Sequence, residues 1–360
     1  MRIKSAVPAK PPRRSGVFHV KRLFAICLAL LMLTGCAPAP AQALPTAERT
    51  FFAMDTVMTL RLYEGGDETL LEQAEARVKE LEGQLSVTNP GSEIYALNHT
   101  GAAELSLEQG ALLEAALDLC GRTDGALDIS IYPVLRAWGF TTGEYAVPGG
   151  EAIAALLPLV DYTKIRVDLD LPERARVTLP DGMEIDLGSV AKGYTGDVLA
   201  ALLMENGAVS AMLDLGGNIQ AVGAKPDGSP WRVGIRDPEG DGNVGIVEII
   251  DRAVVTSGGY ERYFEEDGVR YWHILDPKTG APARSGLASV TVVDDSGVLC
   301  DALSTALFVM GLDGAIGLWR EYQDFEAVFV SEDGSVTITA GLENSFTLSQ
   351  TNRTLTVVRP

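Results

Sequence analysis

Beyond Ser210 the chain breaks into short β-rich runs, and their spacing constrains the fold more than any other feature. The runs cover 211–215, 219–223, 231–236, 244–250, 253–256, 271–275 and 288–294. Connections of hairpin length dominate, which suits antiparallel neighbours, whereas parallel strands need long crossovers. One helix, predicted over 301–310, interrupts them before three C-terminal strands. Upstream, Phe51 to Leu62 alternates as a strand, with Phe52, Met54, Thr56, Met58 and Leu60 on one face. Leu70, Ala74, Val78, Leu81 and Leu85 keep helical spacing behind Asp67 as cap. Ser106-Leu107-Glu108-Gln109 reads as a capping box that opens a second helix through Cys120. A third helix is predicted from Ser189 through Tyr194, Val198 and Leu202. The fold class is therefore α+β, with mixed, mostly antiparallel sheets and packed helices. Neither a strand–GxGxxG–helix unit nor a Walker A motif is present, which argues against a doubly wound nucleotide fold.

The N-terminus reads as a targeting segment. Residues 1–22 carry seven basic and no acidic residues, and Leu23 to Leu33 is apolar. That run is too short for a membrane span and fits a signal-peptide core. It ends in Leu33-Thr34-Gly35-Cys36, which looks like a bacterial lipobox. Residues 1–35 are expected to be removed and Cys36 to carry a lipid, an ordinary secretory signal being the alternative. Residues 36–48, with the run Ala37-Pro38-Ala39-Pro40-Ala41, form a flexible spacer, and 49–360 the folded domain. The expected location is extracytoplasmic, tethered to the bacterial cell membrane by the lipid.

Removing residues 1–35 takes seven of the 29 basic residues and none of the 49 acidic ones, leaving a formal charge of −27. Such a surface disfavours nucleic acid and a polybasic hold on anionic lipid. Cys120 and Cys300 read as small buried hydrophobes, and no cysteine–histidine spacing resembles a zinc site.

His273 is one of three histidines and sits in the densest chemical cluster. Tyr271-Trp272-His273-Ile274-Leu275-Asp276-Pro277-Lys278-Thr279-Gly280 follows closely on Thr256-Ser257-Gly258-Gly259-Tyr260. An imidazole, a carboxylate and an ammonium so near each other suit gripping an anion and moving a proton. Asp301 and Thr305, four apart with Ser304 between, can turn a carboxylate and a hydroxyl toward one hard cation. Asp301 as a mere N-cap is the alternative. The stretch Asp186-Leu187-Gly188-Ser189-Val190-Ala191-Lys192 passes from a strand through a turn into a helix, where amides and Lys192 favour phosphate. Gly216-Gly217-Asn218 permits close backbone approach to a flat ligand or makes a tight turn. Trp138-Gly139-Phe140 supplies aromatics for ring stacking or for a core.

The succession Met54-Asp55-Thr56, Ser92-Glu93-Ile94, Asp128 to Phe140, Asp186 to Asp197, Gly216-Gly217-Asn218, Thr256-Ser257-Gly258, His273 to Gly280 and Asp301 to Thr305 resembles the FAD:protein FMN transferase family. These are the ApbE-like flavin transferases, and the resemblance covers roughly residues 49–345. It implies a T-fold-related architecture that binds FAD with Mg²⁺. FMN would pass through its phosphate to a threonine or serine of another protein, releasing AMP. On matching positions, Met54, Thr88, Trp138, Gly139, Phe140, Asp186, Lys192 and Leu275 would contact FAD. Asp301 and Thr305 would ligate Mg²⁺, helped by Ser304 and the Ser189 carbonyl. His273 would take the acceptor's proton, with Asp276 as second choice.

Two departures stand out. Thr88 occupies a position where FMN-transferring members often carry an aromatic, so hydrolysis of FAD to FMN and AMP is the alternative activity. Asp55 replaces the usual glycine after Met54. A lipid-anchored flavin-binding protein without turnover is the third reading. Thr100-Gly101-Ala102-Ala103 and Thr279-Gly280-Ala281-Pro282 lack the final hydroxyl of the acceptor motif Asp-x-x-Ser/Thr-Gly-Ala-Thr/Ser. The acceptor is thus expected to be another protein, by analogy an extracytoplasmic subunit of an Rnf or sodium-pumping NADH:quinone reductase type complex, or another extracytoplasmic flavoprotein.

Overall fold

Met54 and Asp55 both adopt left-handed backbone angles, with φ of 49° and 60°, and the chain doubles back there. The segment expected as one strand is therefore a hairpin of β1 (Ala47–Ala53) and β2 (Thr56–Glu64). Two successive left-handed residues make the tight turn that matches strand twist, and aspartate tolerates that conformation better than most. The register moves Phe52 to the solvent side, 65% exposed, while Met58 and Leu60 are fully buried.

The structure, a computed structural model, describes residues 44–169 and 172–360. The expected signal segment, Cys36 and spacer residues 36–43 lie outside the described residues. Strands β3 (Ser210–Leu215), β4 (Asn218–Val222), β5 (Ala253–Gly258), β6 (Leu287–Asp294), β7 (Glu326–Ser331), β8 (Val336–Thr339) and β9 (Leu355–Val358) complete a nine-stranded sheet. Its spatial order follows β1 to β9. Every neighbour is antiparallel except β8 and β9, which run parallel. Three smaller sheets flank it: 102–106 with 174–178 and 166–168; 231–236 with 243–249 and 346–348; and the hairpin 263–266 with 269–272.

Among the described residues, seven α-helices pack on this frame: α1 (Glu68–Leu85), α2 (Glu93–Thr100), α3 (Leu107–Arg122), α4 (Tyr132–Ala137), α5 (Gly150–Leu156), α6 (Ala191–Glu205) and α7 (Gly297–Tyr322). Asp67 caps α1 as expected, and Ser106 and Gln109 form the capping box of α3. Helix α7 is much longer than the predicted 301–310. Ser296 accepts from the Leu299 amide and is its N-cap, so Asp301 stands inside the helix and does not cap it. The predicted strand 271–275 ends at Trp272, because the chain leaves the hairpin for the 276–280 turn. Four short strands, not three, follow α7. Residues 185–187, expected to close a strand, are extended but join no sheet. Asn98 grips Ile185 through both amide groups, at 2.8 and 2.7 Å, and the Asp186 amide donates to the Ile129 carbonyl at 2.7 Å.

The main core lies between α7 and the sheet. Leu303, Leu307 and Phe308 meet Val255, Val290 and Val292 there, all nearly inaccessible to water. Cys120 and Cys300 are buried free thiols within it, as the sequence predicts. Helix α6 lies beside α7. This pairing carries the site.

Candidate active site

Gly193 on α6 and Gly297 on α7 touch backbone to backbone. A Cβ on Gly193 would stand 2.1 Å from the Gly297 carbonyl oxygen, and one on Gly297 would stand 2.4 Å from that of Gly193. Close approach lets Asp301 reach across the helix interface. Its Oδ2 accepts from the Gly193 amide at 2.9 Å, and its Oδ1 lies 3.9 Å from Lys192 Nζ. Asp301 is 4% exposed, so this carboxylate is held in one place. The Gly193 amide, one of those expected to favour phosphate at the helix start, is therefore occupied by a carboxylate. The Lys192 ammonium remains to meet an anion.

Hydroxyls gather one turn further along α7. Ser257 Oγ on β5 lies 2.8 Å from Ser304 Oγ and 3.3 Å from Thr305 Oγ1, and Ser304 also donates to the Asp301 carbonyl at 2.9 Å. Ser304 is fully buried, and Thr305 lies nearer the surface. Ser189 is in the turn before α6, partly exposed. Among the described residues no three His, Cys, Asp or Glu side chains cluster as metal ligands. One carboxylate with hydroxyls is instead a sparse, hard, all-oxygen set, the kind that suits a cation taking its other ligands from phosphate and water.

His273 begins where the 263–272 hairpin ends. Its amide donates to the Arg262 carbonyl at 3.1 Å, and its Nδ1 lies 3.2 Å from the same oxygen. A carbonyl only accepts, so this contact assigns the ring proton to Nδ1 and leaves the Nε2 lone pair free. Desolvation lowers the imidazole's pKa from 6.5 to about 4, aided by the charges of Arg262 and Lys192. At neutral pH the ring is uncharged and able to accept a proton. Asp276 is differently engaged. Its carboxylate accepts from the Lys278 amide at 2.9 Å and the Thr279 hydroxyl at 3.1 Å, closing its own turn.

Desolvation likewise raises the Asp186 carboxyl above its ordinary range. The Gly188 amide, 2.8 Å away, and the charges of Arg262 and Lys192 oppose that rise. Glu261 is also raised, by desolvation first, with Lys192 and Arg236 pulling the other way and Asp301 adding to it. Lys192 therefore acts on Asp186, Glu261, His273 and Asp301, and Arg262 on Asp186 and His273, so these groups share one charged neighbourhood. Sequence reading missed Glu261 and Arg262. The Arg262 guanidinium donates to the Phe140 carbonyl at 2.9 Å and so ties the histidine's support to the 138–140 loop. Both residues directly follow the Thr256–Tyr260 run, but nothing in one sequence marks them as cleft residues.

The remaining expected contacts divide. Met54 lies at the β1–β2 turn, its amide donating to Glu82 at 2.7 Å and its sulfur 3.7 Å from the Thr195 hydroxyl of α6. Trp138 and Phe140 are buried among Phe264, Tyr271, Tyr145 and Leu275, and the Trp138 indole donates to the Gly280 carbonyl at 2.8 Å. Gly139 has φ of 80°, and a Cβ there would meet the Glu144 carbonyl oxygen at 2.1 Å. The pair thus supports the wall below His273, with the Phe140 ring 6.3 Å from the imidazole. Thr88 is exposed, its hydroxyl 3.2 Å from Ser86 Oγ.

A buried carboxylate with hydroxyls, a lysine and a neutral histidine in one neighbourhood are the groups that phosphoryl transfer uses, and they point to that class of protein. The sequence pattern of the ApbE family matches residues 54–329, and the chain belongs to that family. It is 36% identical over 289 residues to an FAD:protein FMN transferase of Treponema pallidum, covering 76% of this chain and 80% of that one. The corresponding enzyme of Vibrio cholerae is 33% identical over 299 residues, covering 78% and 85%. Among solved structures, the ApbE protein of Thermotoga maritima superimposes with a TM-score of 0.74 at 34% identity, covering 81% of this chain and 96% of its own. The Pseudomonas stutzeri flavinyl transferase ApbE gives 0.74 at 33%, covering 83% and 96%. The expected α+β, mostly antiparallel architecture is thus the family's.

Proposed function

We propose that the cleft binds FAD and that the chain is an FAD:protein FMN transferase. The acceptor's threonine or serine oxygen bonds to the phosphorus of the FMN half, the pyrophosphate P–O bond breaks, and AMP leaves with the bridging oxygen. The observation that carries this reading is Lys192, whose ammonium lies 3.9 Å from Asp301 Oδ1 and whose charge also acts on Asp186, Glu261 and the neutral His273. His273 Nε2 takes the hydroxyl proton, and the Arg262 carbonyl holds the ring at the correct angle. Lys192 meets the phosphate oxygens as their charge grows. Asp301 and Thr305, helped by Ser304 and the Ser189 carbonyl, would hold Mg²⁺, which when bound supplies neutralising charge to the diphosphate. Asp186, Met54, Thr88, the 138–140 loop and Leu275 form the surroundings of the flavin nucleotide in this reading.

The Leu33–Cys36 motif supports a lipid anchor on the outer side of the cell membrane, and the chain's lack of a complete acceptor motif supports an acceptor in trans. An extracytoplasmic redox-complex subunit of the Rnf or sodium-pumping NADH:quinone reductase type meets both conditions. The test is incubation with FAD and MgCl₂, with and without an acceptor domain. Flavin fluorescence that stays with the acceptor on a denaturing gel is the expected result. AMP release without acceptor would make the enzyme an FAD pyrophosphatase, the reading left open by Thr88. Tight FAD binding without AMP would make it a storage protein. Asp301→Ala is expected to abolish turnover in a folded protein.

A further inference from the structure

The α6–α7 contact is built from one pattern used twice. Gly193-Tyr194-Thr195-Gly196-Asp197 and Gly297-Val298-Leu299-Cys300-Asp301 each set a glycine four residues before an aspartate. Residues at that spacing share a helix face. Each glycine lets the partner backbone approach, and each aspartate caps amides of the other helix. Asp301 accepts from Gly193 at 2.9 Å, while Asp197 accepts from Gly297 at 2.6 Å and Val298 at 3.0 Å. Helix α6 has no side-chain cap of its own at Val190. In α7, Ser296 covers only the Leu299 amide, so Asp197 serves the two before it.

The exchange is unequal, and the inequality has a consequence. Asp197 spends both oxygens on α7, one on each amide. Asp301 spends only Oδ2, and its Oδ1 faces Lys192. Asp197 therefore fixes where α7 starts along α6, and Asp301, one turn later, inherits that position.

We propose that Asp197 is a positioning residue for the Asp301 carboxylate, setting the geometry of the cation site without touching the cation. This rests on the Mg²⁺ reading above. A shift of a few tenths of an ångström along α7 moves Asp301 Oδ1 and Thr305 Oγ1 together, and Mg²⁺ tolerates little departure from octahedral geometry. Supporting groups of this kind typically change metal affinity about 10- to 100-fold.

The experiment titrates the full chain with MgCl₂, with and without FAD, by calorimetry and by thermal shift. Asp197→Asn and Asp197→Ala are compared with Asp301→Asn and with Asp237→Asn. The last breaks the buried pair with Arg353, a contact that involves no residue of α6 or α7, and controls for lost stability. Circular dichroism establishes folding. Asp197→Asn is expected to weaken Mg²⁺ binding about tenfold or more, with turnover recovering at high MgCl₂. The KM for Mg²⁺ should rise while kcat changes little, and Asp237→Asn should leave both unchanged. Unaltered Mg²⁺ affinity in folded Asp197→Asn and Asp197→Ala, with Asp301→Asn unable to bind, overturns the proposal alone. Equal weakening in Asp237→Asn overturns it too, since the effect would be global. Normal Mg²⁺ binding by Asp301→Asn overturns the metal reading itself.

Discussion

A base with a pKa near 4 is weak in the free enzyme, and its environment says how it becomes useful. His273 is depressed by desolvation and by the Arg262 and Lys192 charges. A bound diphosphate adds negative charge beside it and raises the pKa toward the working pH. The kcat/KM profile reports the free enzyme and the kcat profile the bound one. The acidic limb assigned to His273 is therefore expected near pH 4 in kcat/KM and at distinctly higher pH in kcat. Both limbs are read as those lost in His273→Gln. Coincident limbs at the ordinary histidine value of 6.5 would refute the reading. The sign for stability follows. The unfolded chain protonates His273 below 6.5 while the folded one resists until about 4, so this residue's contribution is present above 6.5 and lost as pH falls toward 4. His273→Ala should slow transfer more than it weakens FAD binding. A collapse of FAD affinity would make the ring a binding group instead.

At the scale of elements, α7 has to serve both the core and the site, and it breaks at Gly311 to do so. That residue has φ of 74° and ψ of 173°, a conformation almost restricted to glycine. The break releases the Phe308 carbonyl, to which the Ser285 hydroxyl donates. A Cβ at 311 would lie 3.1 Å from the Ser285 carbonyl oxygen. Gly311→Ala is expected to lower stability by about 1–3 kcal/mol, read by thermal denaturation, with FAD binding retained at permissive temperature. An unchanged melting temperature would contradict the strain. The same helix shows what one sequence makes legible. The placement of Asp301, Ser304 and Thr305 side by side was readable because helical spacing alone produces it. The start of α7 was not, since Gly297 at its head and the Gly311 break inside it blurred the helical pattern. Asp197 ends the Asp186–Asp197 motif, but its role is not legible there, because its partner Gly297 lies 100 residues away. The β1–β2 hairpin was missed for a different reason: its left-handed turn is made by Met54 and Asp55, neither of which signals a turn as glycine does.

For the whole molecule, hairpin-length links made the mostly antiparallel character of the sheets legible, although not their strand order, since β2 pairs with β3 across the intervening helices and 231–236 with 243–249 leave the main sheet. The assembly of the cleft was not legible either. His273, Arg262 and Phe140 are joined through a carbonyl and a guanidinium, and Lys192 reaches Asp301 across a helix contact; neither has a local pattern. Under the proposed lipid anchor, delivery of the folded unit to its acceptor would depend on residues before it. The unit from Leu44 contains every cleft residue named above, and a lipid on Cys36 would act only as a tether. The strong negative formal charge gives no electrostatic hold on an anionic bilayer, so under the proposed anchor a single attachment point would have to carry membrane residence. Cys36→Ser is therefore expected to move the protein from the membrane to the soluble fraction, with FMN transfer to a soluble acceptor domain unchanged in rate. Transfer to an acceptor embedded in membranes should fall in the same variant, because the tether confines both partners to one surface. Retention of Cys36→Ser in washed membranes would refute the anchor. Loss of transfer to the soluble acceptor would mean that the N-terminal segment contributes to the cleft itself.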